Sequence, residues 1–150
     1  MRYPKYTDKG IAFSHNGLYL AVLERKDYKD LLSIYSTRSW EKVKYWQIDA
    51  EDTLNLQWSP DDRFIAIWDT PVEYNIVVYT IDGRLMMKYK AYEYALGIKS
   101  VIWSNTNNFL SIGSYDESVR LFSLLTWKQL VEYEHIPQIT DKSIVVYSEK

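Results

Sequence analysis

The apolar positions of the chain fall into short runs that return at a fixed interval. Ile11-Ala12-Phe13-Ser14 precedes Asn16-Gly17, Leu56-Gln57-Trp58-Ser59-Pro60 precedes Asp61-Asp62, and Val101-Ile102-Trp103-Ser104 precedes Asn105, so that Phe13, Trp58 and Trp103 stand 45 residues apart each time. The next runs, Tyr19-Leu20-Ala21-Val22, Phe64-Ile65-Ala66-Ile67 and Phe109-Leu110-Ser111-Ile112, keep the interval of 45. A third set follows as Leu32-Ser33-Ile34-Tyr35, Ile76-Val77-Val78-Tyr79 and Val119-Arg120-Leu121-Phe122, and a fourth ends on Tyr45, Tyr89 and Tyr133, spaced by 44. Asn16-Gly17, Pro60-Asp61-Asp62 and Asp82-Gly83 separate the runs with residues that favour tight turns, which marks the runs as strands rather than helical segments.

Four short strands in each 40–45 residues is the pattern of a β-propeller blade. The spacing predicts an all-β chain, an incomplete propeller of about three four-stranded blades: a lead-in over 1–9, blade one over 10–53, blade two over 54–97 and blade three over 98–141, with 142–150 starting a further strand or connector at Ile144-Val145-Val146-Tyr147. Within a blade the first strand lines the channel and the fourth lies outermost, so the middle strands should be apolar on both faces. Phe64-Ile65-Ala66-Ile67 and Ile76-Val77-Val78-Tyr79 barely alternate, as that position requires. Three blades cannot close a ring, and Tyr19 to Val22 with Leu32 to Tyr35 on blade one, and Phe109 to Ile112 on blade three, are expected to be left bare.

The WD-repeat family writes Trp-Asp at the end of the third strand and Gly-His before the first. Here the first slot reads Tyr35-Ser36, Tyr79-Thr80 and Phe122-Ser123, which keeps the aromatic wedge and loses the acid. Gly113-Ser114-Tyr115-Asp116 is the best-kept piece, Asp116 matching the family's turn aspartate, although its histidine partner is absent from Tyr92 to Gly97 and only His135 resembles a Gly-His slot. Longer runs resemble the WD-repeat proteins of centrosomes and spindle poles. They include Ala66-Ile67-Trp68-Asp69 with Glu73-Tyr74, Asp82-Gly83-Arg84-Leu85, Leu96-Gly97-Ile98-Lys99-Ser100-Val101 and Thr126-Trp127-Lys128. That resemblance implies a longer chain with blades on either side of this stretch. It also implies a cytoplasmic, cytoskeletal scaffold at the centrosome or spindle pole, which works with a coiled-coil protein to anchor microtubule minus ends.

Composition narrows the chemistry. Tyr, Trp and Phe together make 16% of the chain, an excess that suits pleated, half-buried surfaces. A net charge of −2 from 18 basic and 20 acidic residues supplies no field that would draw nucleic acid or an anionic membrane. Basic residues such as Arg25-Lys26, Lys42, Lys44, Lys88 and Lys90 are interleaved with acids instead of forming a stripe. With no cysteine there is neither a disulfide framework nor a thiolate nucleophile. Ser14 and His15 are chain neighbours and so point apart on an extended backbone, and the two histidines offer no metal-ligand spacing. Asp61-Asp62 reads as turn chemistry and not as an acid–base couple, and no glycine-rich phosphate loop is present. The expectation is therefore a non-enzyme without cofactor or metal, with proteins as partners and neither nucleic acid nor membrane among them.

One feature points to where a partner would bind. The turn between the second and third strands carries Asp27-Tyr28-Lys29-Asp30, then Glu73-Tyr74, then Tyr115-Asp116-Glu117. In a propeller these turns share a face with the links between blades, which here hold Trp46, Asp49, Glu51, Asp52, Tyr92, Glu93 and Tyr94. Tyrosine gives large contact area at little entropic cost and is enriched at interface hot spots. Tyr28, Glu73, Tyr74, Tyr92, Glu93, Tyr94 and Tyr115 are thus the expected partner-binding residues. The same periodicity also fits a WD-repeat adaptor of another pathway, such as a ubiquitin-ligase substrate receptor or a chromatin-associated scaffold.

Overall fold

The computed structural model describes residues 3–90, 97–115 and 118–134, with the last two as backbone, and contains three four-stranded antiparallel sheets. The first is β1 (Ile11–Phe13), β2 (Tyr19–Lys26), β3 (Lys29–Ser36) and β4 (Lys42–Gln47). The second is β5 (Thr53–Trp58), β6 (Phe64–Asp69), β7 (Asn75–Thr80) and β8 (Leu85–Lys90). The third is β9 (Ile98–Trp103), β10 (Phe109–Ser114), β11 (Ser118–Ser123) and β12 (Gln129–Glu134). Each sheet is ordered as its strands run along the chain, hairpin after hairpin. The result is an incomplete, unclosed β-propeller. Thr53, placed by the repeat at the end of the first blade, opens β5, and His135, Asp116 and Ile144 to Tyr147 lie outside the described residues.

The burial pattern follows the sequence pattern. β6 and β7 are almost wholly buried and β4 is almost wholly exposed, because a central strand packs on both faces and an outer strand on one at most. The first hairpin of every blade uses one turn. The carbonyls of Ser14, Ser59 and Ser104 accept the amides of Gly17, Asp62 and Asn107 at 3.0, 3.0 and 3.1 Å. Those three residues have φ of 75°, 61° and 60°, a region open to Gly and tolerated by Asp and Asn. The serine hydroxyls then accept the amides of Tyr19, Phe64 and Phe109.

Two cores lie between the sheets. Ala21, Leu23, Leu32 and Ile34 of the first sheet meet Ile65, Ile67, Val77 and Tyr79 of the second. Ala66, Ile76 and Val78, on the second sheet's other face, meet Leu110, Ile112 and Phe122 of the third. Full burial of the valine, leucine, isoleucine and phenylalanine side chains among them stabilises the fold by about 1.5–3 kcal/mol each.

The expected bare faces need correction. On the side of sheet one away from sheet two, Leu20, Val22 and Tyr35 form a small buried cluster of their own. Over it, Glu24 accepts hydrogen bonds from Ser33 and from Tyr35 (3.4 Å), while Lys42 pairs with Glu24 at 3.1 Å and stands over the Tyr35 ring. Long charged side chains thus close the centre of that face. Its margin stays open at Ile11, Phe13, Trp40 and Tyr45. On blade three, Leu110 and Ile112 point inward to the second sheet, so the open side carries Ser111 and Gly113, paired with Leu121 and Val119.

The lead-in also belongs to the fold. Pro4 bridges Glu24, Lys5 donates its amide to the Leu23 carbonyl and Arg25 donates to Tyr3, each of the last two at 2.9 Å.

Candidate functional site

The turns β2–β3, β6–β7 and β10–β11 and the inter-blade links interlock on one face. The amide of Ile48 donates to Asp30, Thr70 to Asp52, Gly97 to Pro71 and Tyr115 to Gly97, at 2.9, 3.0, 2.9 and 2.9 Å. Turn and link alternate as a stair that crosses from one blade to the next. A Cβ on Gly97 would stand 2.4 Å from the backbone of Pro71, so that step requires glycine.

The stair is pinned by charge between blades one and two. Lys5 Nζ reaches Asp30 Oδ2 at 2.8 Å, Asp52 Oδ1 at 2.6 Å and the Thr53 carbonyl at 2.6 Å. Asp30 Oδ2 also accepts the Thr53 amide and hydroxyl, both at 2.8 Å. Burial works against ionisation of Asp30, but the bonds from Lys5 and Thr53 outweigh it and hold the carboxyl below its usual range. Lys5 is likewise desolvated, and its two aspartate partners raise its pKa all the same. Nothing in the composition of the lead-in marks Lys5 for this role, because its partners are 25 and 47 residues away.

Within blade two, and from blade two to blade three, the same level is held differently. Asp69, fully buried, accepts the Glu51 amide at 3.0 Å and the Asn75 side chain at 3.2 Å, yet burial dominates and raises its pKa. Arg120, 1% exposed, donates to the Tyr74 hydroxyl at 2.8 Å, stacks over that ring at 4.8 Å and pairs with Glu132 at 2.6 Å.

The expected partner residues therefore separate. Tyr28 is 96% exposed at the tip of the first turn, Tyr115 is 48% exposed in the third, and Glu73 is half-buried in the second. Tyr74 is not on the surface: it is 3% exposed, and burial, with Tyr89 adding to it, pushes its hydroxyl up to about 12 despite Arg120. A tyrosine next to a turn can point either way, and here the following strand begins at Asn75, which turns the ring inward onto Tyr89. Tyr92, Glu93 and Tyr94 lie outside the described residues. The sequence pattern passed over Val72, 82% exposed between Tyr28 and Tyr115 in the order of the turns. Trp46 belongs to β4 and packs on Tyr79.

Tyr28 carries a second mark. Both Asp27 and Tyr28 have positive φ, 53° and 64°, so the hairpin is closed by a two-residue turn that glycine or asparagine would adopt more easily. A bulky aromatic held there, wholly exposed, is a local cost with no packing return.

Comparison with known proteins places these features in context. Residues 1–96 match the family model described as Eukaryotic translation initiation factor eIF2A. The chain is 42% identical over 149 residues to the WD repeat-containing protein WRAP73 of Mus musculus, covering 99% of this chain and 32% of that protein. It is 24% identical over 133 residues to an uncharacterized WD repeat-containing protein of Schizosaccharomyces pombe, covering 86% of this chain and 28% of the other. The chain thus spans about a third of the length of these curated relatives. Among solved structures, the β-propeller domain of Cps50 (Swd1) from Myceliophteria_thermophila superposes with a TM-score of 0.69 over 84% of this chain and 42% of its own, at 15% identity.

Proposed function

We propose a scaffold function from one premise: the chain belongs to the WD-repeat β-propeller proteins and to the family described as Eukaryotic translation initiation factor eIF2A. It is a non-catalytic platform for protein–protein interaction, and it serves in centrosome and spindle-pole organisation and in anchoring microtubule minus ends. The observation that carries this reading is the similarity to the mouse WD repeat-containing protein, which extends along 99% of the chain. The partner is a protein, of the coiled-coil anchoring kind, and it meets the turn-and-link face through Tyr28, Glu73 and Tyr115 with Val72 between them. Exposed aromatics on a hydrogen-bonded, ion-paired base give contact area without reordering the backbone.

Tagged protein imaged in dividing cells and purified from them tests the proposal. Concentration at spindle poles and recovery of microtubule-anchoring proteins, lost together when Tyr28 and Tyr115 are both changed to Ala, is the expected result. Diffuse staining, or recovery of cullin, histone or translation-initiation components in their place, overturns it.

A further inference from the structure

We propose that the outer edge of β4, at the junction of blades one and two, binds an extended acidic peptide of a protein partner as an added strand, with Lys44 as the cation that selects it. Both walls of the site belong to blades one and two. The β7–β8 turn that forms one of them stands at the opposite end of β7 from the β6–β7 turn, so this is a second interaction surface that does not rest on the turn-and-link face.

Two pieces of chain form the site. β4 pairs with β3 on one side, and among the described residues no strand pairs with its other edge. Across that ladder Ile34 is opposite Lys44 and Leu32 is opposite Trp46. Residues directly opposite each other share a face, and Ile34 and Leu32 pack on the second sheet, so Lys44 and Trp46 face it too. There Trp46 meets the β7–β8 turn. A Cβ on Gly83 would stand 3.2 Å from the Trp46 ring, and Gly83 has a φ of 93°, which only glycine takes without strain. Asp82-Gly83 therefore lies directly on the indole and walls a groove of about 430 Å³ along residues 42–46. That size falls within the roughly 300–1,000 Å³ of ligand sites.

A free strand edge beside such a wall suits an extended backbone, which adds to the ladder while the groove reads its alternate side chains. Val43 is the extra residue of a bulge, because Ile34 is opposite Lys44 and Tyr35 is opposite Lys42. The regular edge is thus 44–47, and the added strand runs along it.

Charge selects the occupant. β4 carries Lys42 and Lys44 and no acid, and β8 carries Lys88 and Lys90 and no acid, whereas β12 carries Glu132 and Glu134 and no base. Lys42 is engaged by Glu24 at 3.1 Å and Lys88 by Asp49 at 2.9 Å. Lys44 is exposed, and among the described residues no carboxylate is within ion-pairing distance of it. Asp82, on the facing wall, accepts from the Thr80 hydroxyl and lies in the field of both Lys44 and Arg84, so positive charge remains in excess. Edge lysines repel basic strands, and a strand with a carboxylate opposite Lys44 is the one this edge admits. A phospholipid surface would meet the same cations but make no use of the strand edge.

Fluorescence anisotropy of a labelled peptide of alternating glutamate and valine, blocked at both ends and titrated with the purified chain, tests the assignment. Saturable binding that weakens as salt is added is expected, together with slower amide hydrogen exchange at residues 44–47. Lys44→Glu should weaken binding by roughly tenfold, and Lys44→Arg should keep it. Lys29→Glu, the same change of charge on the turn-and-link face, should leave it unchanged. Lys44 is exposed, so its replacement opens no core, and an unchanged melting temperature shows that each variant is folded. A fully N-methylated peptide of the same sequence, which cannot donate to a strand edge, should bind at least about tenfold more weakly. Equal binding of the N-methylated peptide, or indifference to Lys44→Glu, would overturn the proposal. So would an absence of peptide binding with Lys44 required instead for adhesion to phosphatidylserine vesicles or for self-association of the chain.

Discussion

Single residues divide between those that hold the stair and those that project from it. Tyr28 occupies the left-handed region at φ 64°, which costs a non-glycine residue about 1–2 kcal/mol. Tyr28→Gly is expected to raise stability by about 1 kcal/mol in urea denaturation while abolishing the tyrosine's share of partner capture. Tyr74→Phe should do the reverse. Loss of the hydroxyl that Arg120 donates to costs about 1–3 kcal/mol, and capture stays intact because the ring is 3% exposed. The two buried aspartates also differ in sign. Asp30→Asn leaves Lys5 without its closest buried partner and should destabilise by about 3 kcal/mol. Among the described residues no cation pairs with Asp69, and one of its oxygens is unmatched. Asp69→Asn keeps an acceptor for the Glu51 amide, so at neutral pH it should be neutral or stabilising by about 1 kcal/mol in the same assay.

At the scale of elements, strands and turns were largely legible in the sequence. The turn at Ser14, Ser59 and Ser104 could be read from Asn-Gly and Pro-Asp-Asp, because those residues act through local backbone geometry. Asp61-Asp62 is a turn in the structure too, Asp61 accepting from Ser59 and Arg63 and Asp62 from the His15 and Asn16 amides. The links were less legible, since their conformation depends on the turn each one rests on. Gly97→Ala tests that dependence. Its Cβ has no room against Pro71, and we expect a loss of about 1–3 kcal/mol, read as a lower urea midpoint with the slope unchanged.

For the whole molecule, acid should be the destabilising condition. Asp30 and Glu24 are both desolvated, and both are nevertheless held below their ordinary values, Asp30 by Lys5 and Thr53 and Glu24 by Ser33 and Lys42. A lowered carboxylate contributes stability above its unfolded pKa, 3.8 for Asp30 and 4.5 for Glu24, and loses it as pH falls through the folded value. Asp69, raised by burial, works in the opposite direction and offsets part of the fall. The melting temperature is therefore expected to hold from neutral pH down to about pH 5 and to drop below about pH 4.5, less steeply in Asp30→Asn. Thermal scans across that range check both slopes.

The period of 45 residues determined the all-β class, the number of sheets and which strands are central, because repeat spacing and two-sided apolarity are local properties that each strand carries in its own residues. Tertiary structure alone decided which of two adjacent residues faces out. Glu73 stays part-exposed while Tyr74 turns in to meet Arg120, 46 residues away. It also decided that Lys5 would clasp Asp30 and Asp52, and that Glu24 and Lys42 would close over Leu20 and Val22. These outcomes depend on side chains brought together from separate strands and blades. The energy of a buried charge or hydroxyl is set by the partner it finds there, and no run of neighbouring residues specifies that partner.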